Sequence, residues 1–560
     1  MPLVQLPFSY DRAKVACDRG LRCPVRALLP KGLQDACDAN PFLHEYLHAL
    51  PISKVGVPDY YPKLSRNLRD LDERNLIYPV KNGLFVHVYP DSSAERDIYV
   101  PIEPHLTLDL SRLMPDVEAR LLAYTEEIGR AETEDIKRAE LHKAIGEILT
   151  TNGANGRIRV TPREYEAITY LLLRDKVSFG LLNPLLSDVY IEDISCSGVG
   201  ALFLEHKIFK SLQCCVTFSD NEDLDAFVIW MGEWIKRPVT VRNPIVDAVL
   251  PDGSRINIVY GTDISKRGSN FTIRKFGDIP TSVMELIEFG TMNYIMASYL
   301  SFVLEEGLNL FVCGATASGK TTTLNAITTF IGPDKKIVTI EDTPELQVPH
   351  KNWIRETTRG SGREEMGSAV GMFDLLKAAL RQRPDRIIIG EIRGEEGAIA
   401  FQAMQTGHGV MSTFHAASVE KLIQRLTGEP INIPKAYVDN LDVVLVQSAV
   451  KIAGKGMARR VMSINEIVGY DSVAKSFSFI EVFRWNATTD EFEFPGYMNS
   501  FIMEEKIALK RGIPPFKRKS IYTELRRRAK IFERLHKDRK VRGFYEVFQV
   551  LAEIQRQKLI

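Results

Sequence analysis

The sequence lacks an excess of charge of either sign: 72 Lys and Arg stand against 72 Asp and Glu in 560 residues. That balance excludes the global basicity of a chain built to coat nucleic acid or anionic lipid. Long apolar runs are missing as well. No stretch approaches the roughly eighteen consecutive apolar residues of a membrane-spanning helix, and the start, MPLVQLPFSYDRAKVACDRG, has no basic-then-apolar layout of a secretion signal. Cysteine is sparse and odd in number, at 17, 23, 37, 196, 214, 215 and 313. Such scatter argues against a disulfide framework and for a reduced, cytosolic setting. No internal repeat or low-complexity segment is present, and the aromatics around 268–276 are too few for a base-stacking groove.

What is present is the composition of an ordinary globular protein, 45% hydrophobic, long enough for three or four domains. Residues 1–130 are rich in Pro and short apolar pieces and suggest no particular fold. Residues 131–288 mix helical patches (EYEAITYLLLRD, DLDAFVIWMGEWI) with strand-like runs (YIEDISCSG, NFTIRKF), which predicts an α+β domain. Residues 289–500 alternate strand, loop and helix: NLFVCG, KIVTIED, RIIIGEI and GVMSTFHA separated by helices such as MFDLLKAALRQR. That alternation predicts an α/β core, a parallel sheet with flanking helices. Residues 501–560 carry 17 Lys and Arg against 7 Asp and Glu, a basic helical tail.

GATASGKT, Gly314–Thr321, fits the P-loop pattern G-x-x-x-x-G-K-[ST] without deviation. Its backbone (Gly314, Ala315, Thr316, Ala317, Ser318, Gly319) would curl its N–H groups toward phosphates. Lys320 would reach the β and γ oxygens, and the Thr321 hydroxyl, followed by Thr322, would hold Mg²⁺. The preceding β-rich run and the following helix KTTTLNAITTF supply the context the motif needs, and the helix adds its positive N-terminal end. ATP and Mg²⁺ are therefore the expected ligands.

Cleavage of ATP needs carboxylates at the carboxyl ends of neighbouring strands. RIIIGE offers Glu391, with Gly390 where an Asp is usual. KIVTIED supplies Glu341 and Asp342, with Glu345 close behind, so Asp342 and Glu391 are further candidates for the metal. A second motif, HEYLH at His44–His48, fits H-E-x-x-H, but Pro41 and Pro51 bracket too short a helix for a metalloprotease. A zinc site from Cys17, Cys23, Cys37, His44 or His48 is conceivable. Their spacings match no standard finger, so ordinary surface histidines are the expectation.

The order GATASGKTTT, IEDTPEL, RPDRIIIGEIRGEE and TGHGVMSTFHA resembles the secretion ATPases of type II secretion, type IV pili and related archaeal systems. The likeness stretches from roughly Glu192 to Ile433. GEIRG, with Gly394 where bacterial relatives tend to have Asp, resembles the archaeal branch, and the four-cysteine zinc insertion of some bacterial members is absent. The resemblance implies a RecA-like core, with Glu341 as catalytic base and Glu391 holding Mg²⁺ through water, or those two roles exchanged. It also implies that His408 and His415 form a histidine box near the γ-phosphate and the facing subunit, sensing nucleotide state.

A hexameric motor needs cations delivered across an interface, and Arg255, Arg267 and Arg274 just before the GDIPTS linker are the candidates. The family likewise places arginines there. The implied protein is a cytoplasmic homo-hexamer at the inner face of the membrane. It would act on a polytopic platform protein, and through it on pilin-like subunits, with no nucleic acid expected. A nucleic-acid translocase or DNA-transfer motor on the same core is the alternative. In the tail, Ile521, Leu525, Phe532 and Leu535 recur at helical spacing among basic residues. That stripe would either lie on anionic lipid and help seat the protein, or pack on the motor core.

Overall fold

Strands form in the first half of the chain where β-branched and aromatic residues alternate with polar ones. In Arg255–Val259, Ile256 and Ile258 are buried while Arg255 faces out, and in Asn270–Arg274 the buried pair is Phe271 and Ile273. The computed structural model describes all residues except 1–2, 11–22, 72, 92–95, 132, 153–155, 278, 360–369, 453–455, 474–475 and 558–560. Two units result, Met1–Gly277 and Asp278–Ile560.

The first unit is built on one eleven-stranded sheet. Ile98–Ile102 pairs in parallel with Lys210–Phe218, so the strands before residue 130 and those after it share a ladder. The boundary expected near 130 therefore does not divide two sheets. The reason is burial on both faces: Ile98, Val100 and Ile102 pack with the helices between Lys31 and Ala49, whereas Tyr99 enters the cluster of the later strands. A strand apolar on both sides cannot sit at a solvated domain edge.

The second unit carries a nine-stranded sheet in the order Trp353–Thr357, Ile337–Glu341, Arg386–Glu391, Gly409–Phe414, Leu310–Cys313, Val443–Ile452, Gly456–Asp471, Ser476–Asn486, Glu491–Glu493. The first six are parallel and the last three continue as an antiparallel meander. This is the α/β, RecA-like core expected from the strand–helix alternation. Its parallel strands read as continuous apolar runs because helices cover both faces.

The tail is not a separate basic appendage. In helix Ile521–Lys537, Ile521, Leu525, Phe532 and Leu535 are all buried in the cluster that holds Leu310 and Val312 of the P-loop strand. Phe532 stacks on Phe330, ring centroids 5.6 Å apart. The lipid-facing reading of this stripe is thereby corrected: the apolar face is already covered, and only the charged face meets solvent. Among the described residues no helix is long and apolar enough to cross a membrane.

Candidate nucleotide site

The loop between strand Leu310–Cys313 and helix Lys320–Ile327 is shaped by two glycines that admit no side chain. A Cβ on Gly314 would lie 2.2 Å from the Gln447 carbonyl oxygen. Gly319 takes the left-handed φ of +91° that starts the helix, and its Cβ would meet Arg459 and Gln447 at 2.9 Å. Gln447 explains this closeness. From the adjacent strand its Nε2 donates to the Ser318 carbonyl (2.8 Å), and its Oε1 accepts from Thr323 Oγ1 (2.6 Å). Arg459 Nε donates to the Ala317 carbonyl at 3.3 Å. The cradle is thus pinned from outside, while the Ser318 hydroxyl stays buried without a partner. A phosphate fits such a loop, since N–H groups, a helix N-terminus and an ammonium converge there.

Lys320 donates to the Ala315 carbonyl at 3.0 Å and lies 3.5 Å from His415 Nδ1. Partial burial pulls its pKa below the usual lysine value. The strand order accounts for what it meets: Gly409–Phe414 lies between the P-loop strand and Arg386–Glu391, so the residue after its carboxyl end stands between Lys320 and Glu391. That residue is His415, whose Nε2 is 2.8 Å from Glu391 Oε1 without hydrogen-bond alignment. Glu391 Oε2 also takes a hydrogen bond from Arg393 (2.5 Å). Burial and the cations Lys320, Arg393 and Arg425 push the His415 pKa down, outweighing Glu391, so the ring is a neutral donor or acceptor at neutral pH.

Glu341 ends the next strand and is 1% exposed. Its Oε1 accepts from the backbone N–H groups of Glu345 (2.7 Å) and Leu346 (2.8 Å). Oε2 has no hydrogen bond, and Arg355 Nε stands 3.8 Å away. Burial raises its pKa from 4.5 to about 7, against the two N–H donors and Arg355. The absent Asp at 390 now has a cause: a Cβ there would come 3.2 Å from Glu341 Cγ, so Gly390 leaves room for the inward carboxylate. Asp342 is exposed and accepts from Thr358 Oγ1 at 3.1 Å.

Residues 177–478 match the family model described as type II/IV secretion system protein. An uncharacterized protein of Methanocaldococcus jannaschii is 42% identical over 536 residues, covering 93% of this chain and 96% of the relative. The type IV secretion system protein PtlH of Bordetella pertussis is 31% identical over 316 residues, 50% of this chain and 92% of PtlH. The chain belongs to the type II/IV secretion ATPase family. Among solved structures, the Legionella pneumophila ATPase DotB matches 60% of this chain and 84% of its own, at 18% identity and a TM-score of 0.36.

In this secretion ATPase the other sequence-derived residues fall in three places. His408 is not brought to the phosphate end. It precedes the six-residue strand that His415 follows, and at about 3.3 Å per residue the two lie roughly 20 Å apart. His408 instead has Thr406 Oγ1 at 3.1 Å from its Nδ1. Of the histidine box expected near the γ-phosphate and the facing subunit, His415 is the member that meets Lys320 of its own chain. Arg255 and Arg274 belong to the first unit, directly opposite each other on neighbouring strands. Their mutual repulsion is offset by flanking acids: Arg255 Nε donates to Asp247 at 3.0 Å and Arg274 Nε to Asp193 at 3.2 Å. Arg267 lies off the sheet in an exposed loop. Sequence reasoning missed Gln447 and Arg459, because single polar residues far from the loop carry no pattern of their own. It also missed Arg393, which its place in GEIRG, two residues after Glu391, could have flagged.

Proposed function

We propose that this ATPase is an oligomeric motor, a homo-hexamer, that turns ATP hydrolysis into mechanical work on a polytopic membrane platform protein. The work drives assembly of a pilus-like filament or export of protein from the cytoplasmic face. The observation that supports this reading best is the meeting of Lys320, His415 and Glu391 at the carboxyl ends of adjacent parallel strands. The Thr321 hydroxyl and Glu391, with Asp342 close to Glu341, would hold a Mg²⁺ ion, whose charge offsets that of the phosphates. Lys320 binds the β and γ oxygens, Glu341 takes the proton of the attacking water, and His415 links the γ-phosphate position to Glu391. Arg255 and Arg274 supply positive charge to a neighbouring copy's nucleotide.

A base at Glu341 fixes the sign of the pH dependence. Its pKa is raised from 4.5 to about 7, so the active, unprotonated form is present above that value and lost below it. Turnover should fall tenfold per unit as pH drops below about 7, whereas an ordinary glutamate would sustain it to about 4.3. A kcat profile flat down to pH 5 would assign the base elsewhere.

Action in trans has its own test. Arg255→Ala chains and Lys320→Ala chains should each be inactive alone and regain turnover when mixed. In mixed rings, an intact P-loop then faces an intact arginine. No recovery at any mixing ratio would confine the arginines to their own chain.

A further inference from the structure

Helix Pro41–Ala49 places His44 and His48 one turn apart, on one face, with ring centroids 4.7 Å from each other. Facing them is Cys23, fully buried at the N-cap of helix Pro24–Leu28. Its Sγ accepts from the Arg26 N–H (3.4 Å) and lies 2.8 Å from His48 Nε2. One ligand atom from each of Cys23, His44 and His48 lies within 4.8 Å of the other two. His44 Nε2 is buried and has no hydrogen-bond partner, although a buried polar group left unsatisfied is destabilising. That bare ring nitrogen stands beside a thiol and a second imidazole, the donor types that transition metals take.

We infer that Cys23, His44 and His48 bind a zinc ion that ties the two helices together. One thiolate and two imidazoles are the borderline-soft donors zinc takes, and the trio offers no oxygen for Mg²⁺ or Ca²⁺. Zn–S near 2.3 Å and Zn–N near 2.1 Å put tetrahedral ligand atoms about 3.5 Å apart, so Cys23 and His48 need to separate by less than ~1 Å. Binding releases the Cys23 thiol proton to solvent, and both imidazoles coordinate in their neutral form. Three protein ligands leave one coordination position to a fourth donor.

The role is structural. Glu45, the acid of H-E-x-x-H, is not available as a base: both its oxygens are held by Arg163 (2.8 and 2.9 Å), and Thr107 Oγ1 donates to it at 2.9 Å. His44 and His48 are half-buried against Cys23 and not fully at the surface as expected. Cys37 is buried nearby but stands outside the trio, and Cys17 lies outside the described residues.

The test uses the full chain, without a histidine tag, purified with no chelator. Elemental analysis should find one zinc per chain. After chelator dialysis, Co²⁺ should restore a tetrahedral visible spectrum with a thiolate-to-cobalt charge-transfer band. Cys23→Ser should remove that band, and His44→Gln or His48→Gln should weaken Co²⁺ binding at least ~10-fold. X-ray absorption on the zinc-loaded natural sequence, expected to show one sulfur and two imidazoles, guards against misfolding of the variants. Any of three results overturns the site: a natural chain that holds no zinc or cobalt, a cobalt spectrum without sulfur, or full metal content in Cys23→Ser.

Discussion

Glu341→Gln should bind ATP as tightly as the natural chain yet turn it over at least ~10²-fold more slowly, the usual cost of losing a general base. The substitution is nearly isosteric, and Oε1 keeps its two backbone donors at Glu345 and Leu346, so the strand end should hold its shape. What disappears is the group that titrates near neutrality. Lys320→Ala behaves differently: it removes the one ammonium in the loop and should weaken nucleotide binding as well as abolish hydrolysis. Separate measurements of nucleotide affinity and single-turnover rate distinguish the two. Full activity in Glu341→Gln together with loss in Glu391→Gln would exchange the roles of the two carboxylates.

The second large effect lies far from the phosphates. Phe532→Ala should cost the second unit about 3–5 kcal/mol, the range for emptying a fully buried aromatic site. Phe532 is 0% exposed and stacks on Phe330 at an interplanar angle of 8°. The same helix buries Arg528, whose guanidinium lies 2.8 Å from Glu305 and 2.9 Å from the Ser301 hydroxyl, above the Phe302 ring. Removing residues 517–560 should therefore unfold the ATPase unit rather than free a membrane anchor. Lys530→Ala, on the exposed face of that helix, should stay within about 0.5 kcal/mol. Thermal unfolding read through tryptophan fluorescence checks all three. A truncated chain that keeps its melting temperature and its ATPase activity would return the tail to the solvent.

Much of the core was legible because its signals are contiguous. GATASGKT is a single loop, and Glu341 and Glu391 end strands whose apolar runs are plain in the sequence. The separation of His408 from His415 emerges only with the strand Gly409–Phe414, which runs the length of the sheet between them. Other features depended on registers that no local pattern encodes. Gln447 reaches the P-loop only because its strand lies beside Leu310–Cys313. Cys23 meets His48 only because the intervening helix turns the chain back. The tail was ambiguous for a physical reason: a basic amphipathic stripe reads the same whether its apolar face meets lipid or a core. Only the neighbouring elements decide that.

The placement of the tail sets an order of events during synthesis. Leu310 and Val312, beside the nucleotide loop, share their apolar cluster with Val547 and Leu551, made about 240 residues later. At about 5–20 residues per second, the P-loop strand waits roughly 10–50 s for its last packing partners. Through that interval the nascent unit exposes the apolar surface that the two C-terminal helices will cover. A chain paused in the meander has the residues that pin the nucleotide loop, Gln447 and Arg459, but still exposes the apolar surface that aggregation and chaperones act on.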